Sequence, residues 1–128
     1  MNILLIEPDS ILANVYKNAL EMNKQNTVRI SSGAQVAIMN ADDATPDLVI
    51  LELQLIEHSG IEFLYEFRSY SEWQEIPVVL HTMVPFAEFT DNWNLLRSEL
   101  GVRAYLYKPN TSLAQLRSYV EEQSLITT

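Results

Sequence analysis

The chain contains no cysteine, which removes disulfides, thiolate nucleophiles and cysteine-based zinc sites from consideration and fits a reducing compartment. Glycine and proline are scarce, 3 and 5 residues among 128, so neither a collagen-like nor a low-complexity chain is in view. Positive charge is also short. Eight Lys and Arg stand against 17 Asp and Glu, a formal net charge of -9 that repels phosphate backbones and anionic lipid. No apolar run is long enough to span a bilayer, and "MNILLIEPD" meets acids too early for a signal peptide. The expectation is a cytoplasmic protein whose partners are proteins, with no nucleic acid and no membrane.

What is present is largely apolar: hydrophobic residues make up 48% and charged residues 20%, enough to bury one core. A single domain over 1–128 is expected, with no separate output domain after the last helix. "NILLI" (2–6), "TVRIS" (27–31), "LVILEL" (48–53), "IPVVLHT" (76–82) and "VRAYLY" (102–107) read as strands, because each is a short aliphatic or β-branched run bounded by polar punctuation. Between them lie helical stretches. Asp9 or Ser10 caps one over about 10–22, with Ile11, Leu12, Val15, Tyr16, Ala19 and Leu20 as its apolar stripe. Others cover 32–41, with Val36, Ala37 and Met39 inward, and 60–70, with Ile61, Leu64, Tyr65 and Arg68 on one side. A further helix carries Phe89, Trp93, Leu96 and Leu100, and the last spans "TSLAQLRSYVEEQ".

Five strands alternating with five helices predict an α/β fold, a doubly wound parallel sheet covered on both faces. In such a sheet the functional residues sit where the strands stop, which here means Glu7, Pro8, Asp9, Glu52, Thr82 and Lys108. Acids, a hydroxyl and a lysine on one edge suit a phosphoryl- or cation-handling pocket, since carboxylates hold metals while Lys and Thr grip phosphate oxygens. The plain alternative is that polar residues end strands at solvent.

Four segments, "ILLIEPDSILANVY", "PDLVILELQLIEHSG", "IPVVLHT" and "GVRAYLYKP", together resemble a response-regulator receiver domain over roughly 2–122. The resemblance implies a flavodoxin-like (βα)5 sheet in strand order 2-1-3-4-5 and a role in two-component signalling or phosphorelay. It makes Glu7 the first of the family's two acids, Thr82 the switch hydroxyl, Tyr105 the aromatic whose rotamer reports the switch, and Lys108 the phosphate-contacting lysine. It also implies a cis Lys108-Pro109 bond. Two positions depart from the family: Pro8 stands at the metal-binding aspartate and Glu52 at the phosphoacceptor aspartate.

Both departures work against phosphotransfer. Proline supplies no side-chain oxygen to an ion that demands strict octahedral geometry, and Asp9 is expected to cap its helix instead, so magnesium binding should be weak or absent and no metal site is expected. Glu52 carries its carboxylate outward by roughly 1.5 Å, one C–C bond, where a ~1 Å misplacement costs about a hundredfold in rate. There it can occupy the phosphoryl space, paired with Lys108 and receiving a hydrogen bond from Thr82. Either a static ion pair or a switch biased toward its activated arrangement would follow.

Ile56 and Met83 add bulk where receivers carry Pro and a small residue. His58 reads as exposed and His81 as a packed neighbour of Thr82. Phe86, Phe89, Trp93 and Tyr105 mark a candidate partner surface, facing a signalling protein such as a histidine kinase or a downstream effector, with a homodimer also open. The reading is a non-enzymatic, stand-alone pseudo-receiver. Its rivals are an active response regulator phosphorylated at the strand-end carboxylate with Mg²⁺, and a metal-dependent phosphohydrolase.

Overall fold

The computed structural model describes residues 1–127, with side chains through residue 124. The aliphatic runs form strands β1 (Asn2–Ile6), β2 (Thr27–Ser31), β3 (Leu48–Leu51), β4 (Val78–Thr82) and β5 (Val102–Tyr107). Between and after them come α1 (Ser10–Leu20), α2 (Ala34–Asp43), α3 (Gly60–Ser69), α4 (Trp93–Ser98) and α5 (Leu113–Thr127). All pairings are parallel and the order is β2-β1-β3-β4-β5, the doubly wound α/β arrangement expected.

Alternation along each strand feeds two cores, one per sheet face. Leu4, Ile6, Val49, Leu51 and Leu80 pack with Phe63, Leu64 and Phe67 of α3 and Leu96 of α4. Ile3, Leu5, Ile50 and Val79 pack with Ala13, Tyr16 and Leu20 of α1 and Leu116 and Val120 of α5. Because both faces are covered, β3 is apolar throughout, and β1 and β4 are polar only at Asn2 and at His81 and Thr82.

Several helix faces differ from the sequence reading. In α1 the buried positions are Ala13, Tyr16, Ala19 and Leu20, while Ile11 and Val15 face solvent. Small alanines bring the helix close to the sheet, and the larger i, i+4 pair is left outside. The same holds in α2, which sits down on Ala34, Ala37 and Ala41 and turns Val36 and Met39 outward. In α3 the inward side chains are Phe63, Leu64 and Phe67, Tyr65 is exposed, and Arg68 is half-buried, donating from Nε to the Leu100 carbonyl at 2.9 Å and from Nη1 to the Trp73 carbonyl at 2.7 Å.

The segment after β4 is not one helix. A 3₁₀ stretch over Phe86–Asn92 precedes the short α4, as the weak helix formers Thr90, Asp91 and Asn92 would dictate. The Lys108–Pro109 bond is trans, correcting the cis expectation. Pro109 lies inside a 3₁₀ turn, Lys108–Asn110, closed by the Thr111 N–H on the Lys108 carbonyl at 3.2 Å, and trans is the intrinsically favoured isomer. Among the described residues no helix is long and apolar enough to cross a membrane.

Candidate functional site

Parallel strands stop at a common edge, so the residues that follow β1, β3 and β5 meet the last residue of β4. Glu7 and Glu52 each extend their strand by one backbone bond: the Glu7 N–H reaches the Ser31 carbonyl and the Glu52 N–H the Ile6 carbonyl, both at 3.0 Å. This pins their carboxylates over the sheet edge, where Glu7 is 3% and Glu52 4% exposed and Thr82 is fully buried. Buried acids at that depth require partners.

Lys108 supplies them. Its Nζ donates to Glu52 Oε1 at 2.8 Å and to Glu7 Oε1 at 2.5 Å, one ammonium between two carboxylates. Glu52 Oε1 also accepts the Met83 N–H at 3.1 Å, and Oε2 accepts the Gln54 N–H at 3.1 Å and the Thr82 hydroxyl. Each oxygen of Glu52 therefore has two donors, the full acceptor capacity of a carboxylate. Burial alone would raise the Glu52 pKa, but hydrogen bonds from Lys108, Thr82 and the Gln54 N–H outweigh it and hold the carboxyl below its ordinary value. Burial likewise works against the Lys108 ammonium, and the bonds to Glu52 and Glu7 reverse that, raising its pKa.

A hydrogen-bond path leads away from Glu52. Thr82 Oγ1, which donates to Glu52, accepts the Val84 N–H at 3.1 Å, and the Val84 carbonyl accepts the Tyr105 hydroxyl at 2.6 Å. Burial, with Glu88 and Glu52 adding, pushes that hydroxyl up to about 12, so it stays a donor. The Tyr105 ring meets Phe86 edge-on at 5.1 Å, Phe89 at 6.1 Å and Trp93 at 6.4 Å. The four aromatics singled out in the sequence thus form one cluster, joined to Glu52 through Thr82 at the end of β4 and Val84 in the loop after it.

The other side of the site is different. Asp9 Oδ1 accepts the N–H groups of Ile11 at 3.0 Å and Leu12 at 3.1 Å, capping α1, and Glu7 Oε2 accepts the Asp9 N–H at 3.2 Å. Pro8 contributes no side-chain donor atom. Among the described residues no group of three or more His, Asp or Glu is arranged to hold a metal ion.

Beneath the cluster, His81 is buried with its ring edge-on to Tyr16 at 4.7 Å, and the Tyr16 ring lies 5.8 Å from Lys108 Nζ. Burial and then the Lys108 charge push His81 down to about 4, leaving it neutral. His58 is exposed beside Glu62 at 3.2 Å, Ile56 is exposed, and Met83 reaches Glu52 through its backbone while its side chain stays half in solvent. The sequence reading missed the Met83 and Gln54 N–H groups and the Val84 carbonyl, since backbone atoms carry no sequence signal. It also missed Tyr16, whose helical spacing marked it only as core.

The family model described as the response regulator receiver domain matches residues 3–121. The polar-differentiation response regulator DivK of Brucella ovis is 28% identical over 108 residues, 84% of each chain. A CheY-like response regulator receiver domain protein from Methanospirillum hungatei superposes with a TM-score of 0.81 at 19% identity, covering 95% of this chain and 91% of that one. The Thermotoga maritima response regulator TrrA, solved in complex with Mg²⁺ and BeF, gives 0.77 at 18% identity, covering 95% and 97%. These structural likenesses bear on the fold.

Proposed function

The chain belongs to the response regulator receiver domain family of two-component signalling proteins, and from that premise we propose that it is an atypical member that signals through protein contacts without being phosphorylated. Glu52 supplies permanently the anion that a receiver gains on phosphorylation. The observation that carries this reading is the saturation of its carboxylate by Lys108, Thr82 and the N–H groups of Met83 and Gln54. A phosphoacceptor must turn a free lone pair toward the incoming phosphorus, and none is left here.

The donor set does not fit a magnesium ion either. Glu7 is committed to Lys108 and to the Asp9 N–H, Asp9 to the α1 cap, and Pro8 has nothing to offer. TrrA was solved with Mg²⁺ and BeF; in this chain the Lys108 ammonium lies between the Glu7 and Glu52 carboxylates.

The Thr82–Val84–Tyr105 path supports a switch held toward its activated arrangement over a merely neutralising ion pair. Lys108, shared with Glu7, pairs with Glu52 directly, and the Thr82 hydroxyl and two loop amides also donate to it. The partner is a protein of a signalling pathway, a histidine kinase or a downstream effector, met on the aromatic face. Intact-mass measurement after incubation with acetyl phosphate and Mg²⁺ tests the reading: the mass stays unchanged, and addition of one phosphoryl group to Glu52 would sink it in favour of an active receiver.

A further inference from the structure

A strand at the edge of a sheet carries main-chain groups that a further strand can bond. β2 is such an edge, bonded to β1 alone. Its sequence, Thr-Val-Arg-Ile-Ser, is rich in β-branched residues and holds a single charge, the composition of a strand that invites another beside it. Thr27 and Ser31 turn toward β1, the Thr27 N–H donating to the Met1 carbonyl at 2.9 Å and the Ser31 carbonyl accepting the Glu7 N–H at 3.0 Å. By alternation, the groups of Val28 and Ile30 point out of the sheet.

Val28 does not present its pair to solvent. Its N–H donates to Glu21 Oε2 at 2.9 Å, and its carbonyl accepts a hydrogen bond from Lys17 Nζ, also at 2.9 Å. A carboxylate and an ammonium from the end of α1 therefore stand where the carbonyl and the N–H of a neighbouring strand would stand. An added strand would have to bond both Val28 and Ile30, and with Val28 taken only one residue is left to hold it.

The needs of α1 do not account for these two side chains. Lys17 and Glu21 approach each other only to 3.9 Å, and Lys before Glu is the weaker order for an i, i+4 pair. Glu21 also occupies the C-cap of α1, where the helix dipole disfavours an acid. Their short contacts are with Val28, not with one another.

We propose that Lys17 and Glu21 guard the β2 edge against strand addition by a second copy of this chain, and that without them two chains join β2 to β2 in one continuous sheet. A twofold axis beside β2 makes that contact self-complementary and closed. The guard is independent of the state of Glu52, so a phosphoryl adduct in the mass experiment would sink the receiver reading and leave this edge untouched.

Lys17→Ala with Glu21→Ala opens the edge. The two side chains are 36% and 31% exposed, so truncation leaves no void in the core, and a melting curve verifies the fold. Sedimentation equilibrium and amide hydrogen exchange are recorded on the full chain at raised salt, which screens repulsion between two molecules of net charge -9. In dilute solution the Val28 amide of the variant should exchange about tenfold faster than in wild type. On concentration the variant should associate about tenfold more tightly than wild type, with Val28 and Ile30 regaining protection. Lys17→Arg with Glu21→Gln keeps a donor and an acceptor in place and should behave as wild type.

Equal association of the alanine variant and wild type, association that leaves Val28 and Ile30 unprotected, or association of the conservative pair to the same extent would each overturn the proposal. If the double variant loses its fold, Glu21→Ala alone supplies the reading at Val28: exchange about tenfold faster supports the guard, and unchanged exchange contradicts it.

Discussion

Around Glu52 every acceptor position has a donor, whereas on the neighbouring strand the turn at Pro8 has given its polar groups to local work. Both places lie at the same sheet edge and share one lysine. On the Glu52 side, the longer acid reaches four donors drawn from three segments of the chain. On the Pro8 side, Asp9 caps a helix and Glu7 is tied to Lys108 and to the Asp9 N–H. The lesson is that one ammonium can hold two buried carboxylates at a common strand edge when main-chain N–H groups and a hydroxyl supply the remaining donors.

The sharpest way to break this comparison is to remove what the two sides share. Lys108→Met leaves two buried carboxylates facing each other, and denaturant unfolding at pH 7 should show a loss of about 3–5 kcal/mol. Part of that loss should be recovered in acid, as the carboxylates protonate. Equal stability of variant and wild type across pH would mean the ammonium is not holding the site together.

A second test reaches the floor of the cluster. His81 is held neutral, its pKa lowered from 6.5 to about 4. The unfolded chain takes up a proton at that residue where the native one does not, so stability conferred by the neutral ring is complete above 6.5 and lost as pH falls toward 4. Its full extent is about 3 kcal/mol. In His81→Leu that part of the acid slope should vanish, leaving the loss that sets in at lower pH as Glu52, with its depressed pKa, protonates. Parallel pH–stability curves for the two proteins would show that His81 does not titrate as a buried neutral group.

The smallest effect is the most local. Tyr105→Phe removes the hydroxyl that ends the path from Glu52 and leaves the Val84 carbonyl without it, a cost of about 0.5–1.5 kcal/mol. Amide shifts should change at 82–86 and remain fixed at 7–9. Changes at both would mean the two sides of the site are coupled through more than Lys108.

How legible this was depends on which atoms did the work. The strands followed from aliphatic runs, and the strand-end rule brought Glu7, Glu52, Thr82 and Lys108 to one edge, because parallel strands have no other place to stop. Asp9 as a cap was readable from its position before an apolar-periodic stretch. The helix faces were harder: α1 offers two interleaved stripes, and only packing selects Ala13 over Ile11. The 3₁₀ stretch over Phe86–Asn92 escaped a reading based on spacing, since Phe89 and Trp93 are four apart in either geometry. The donors that complete the Glu52 shell from Gln54 and Met83 are main-chain groups, which any residue at those positions would supply.

The most direct test of the built-in anion is a carboxyl-detected NMR titration of Glu52, in wild type and in Lys108→Gln. A midpoint below the ordinary 4.5 that climbs when the ammonium is removed is the predicted result. A midpoint at the ordinary value, indifferent to Lys108, would place the Glu52 carboxylate in solvent and contradict the account.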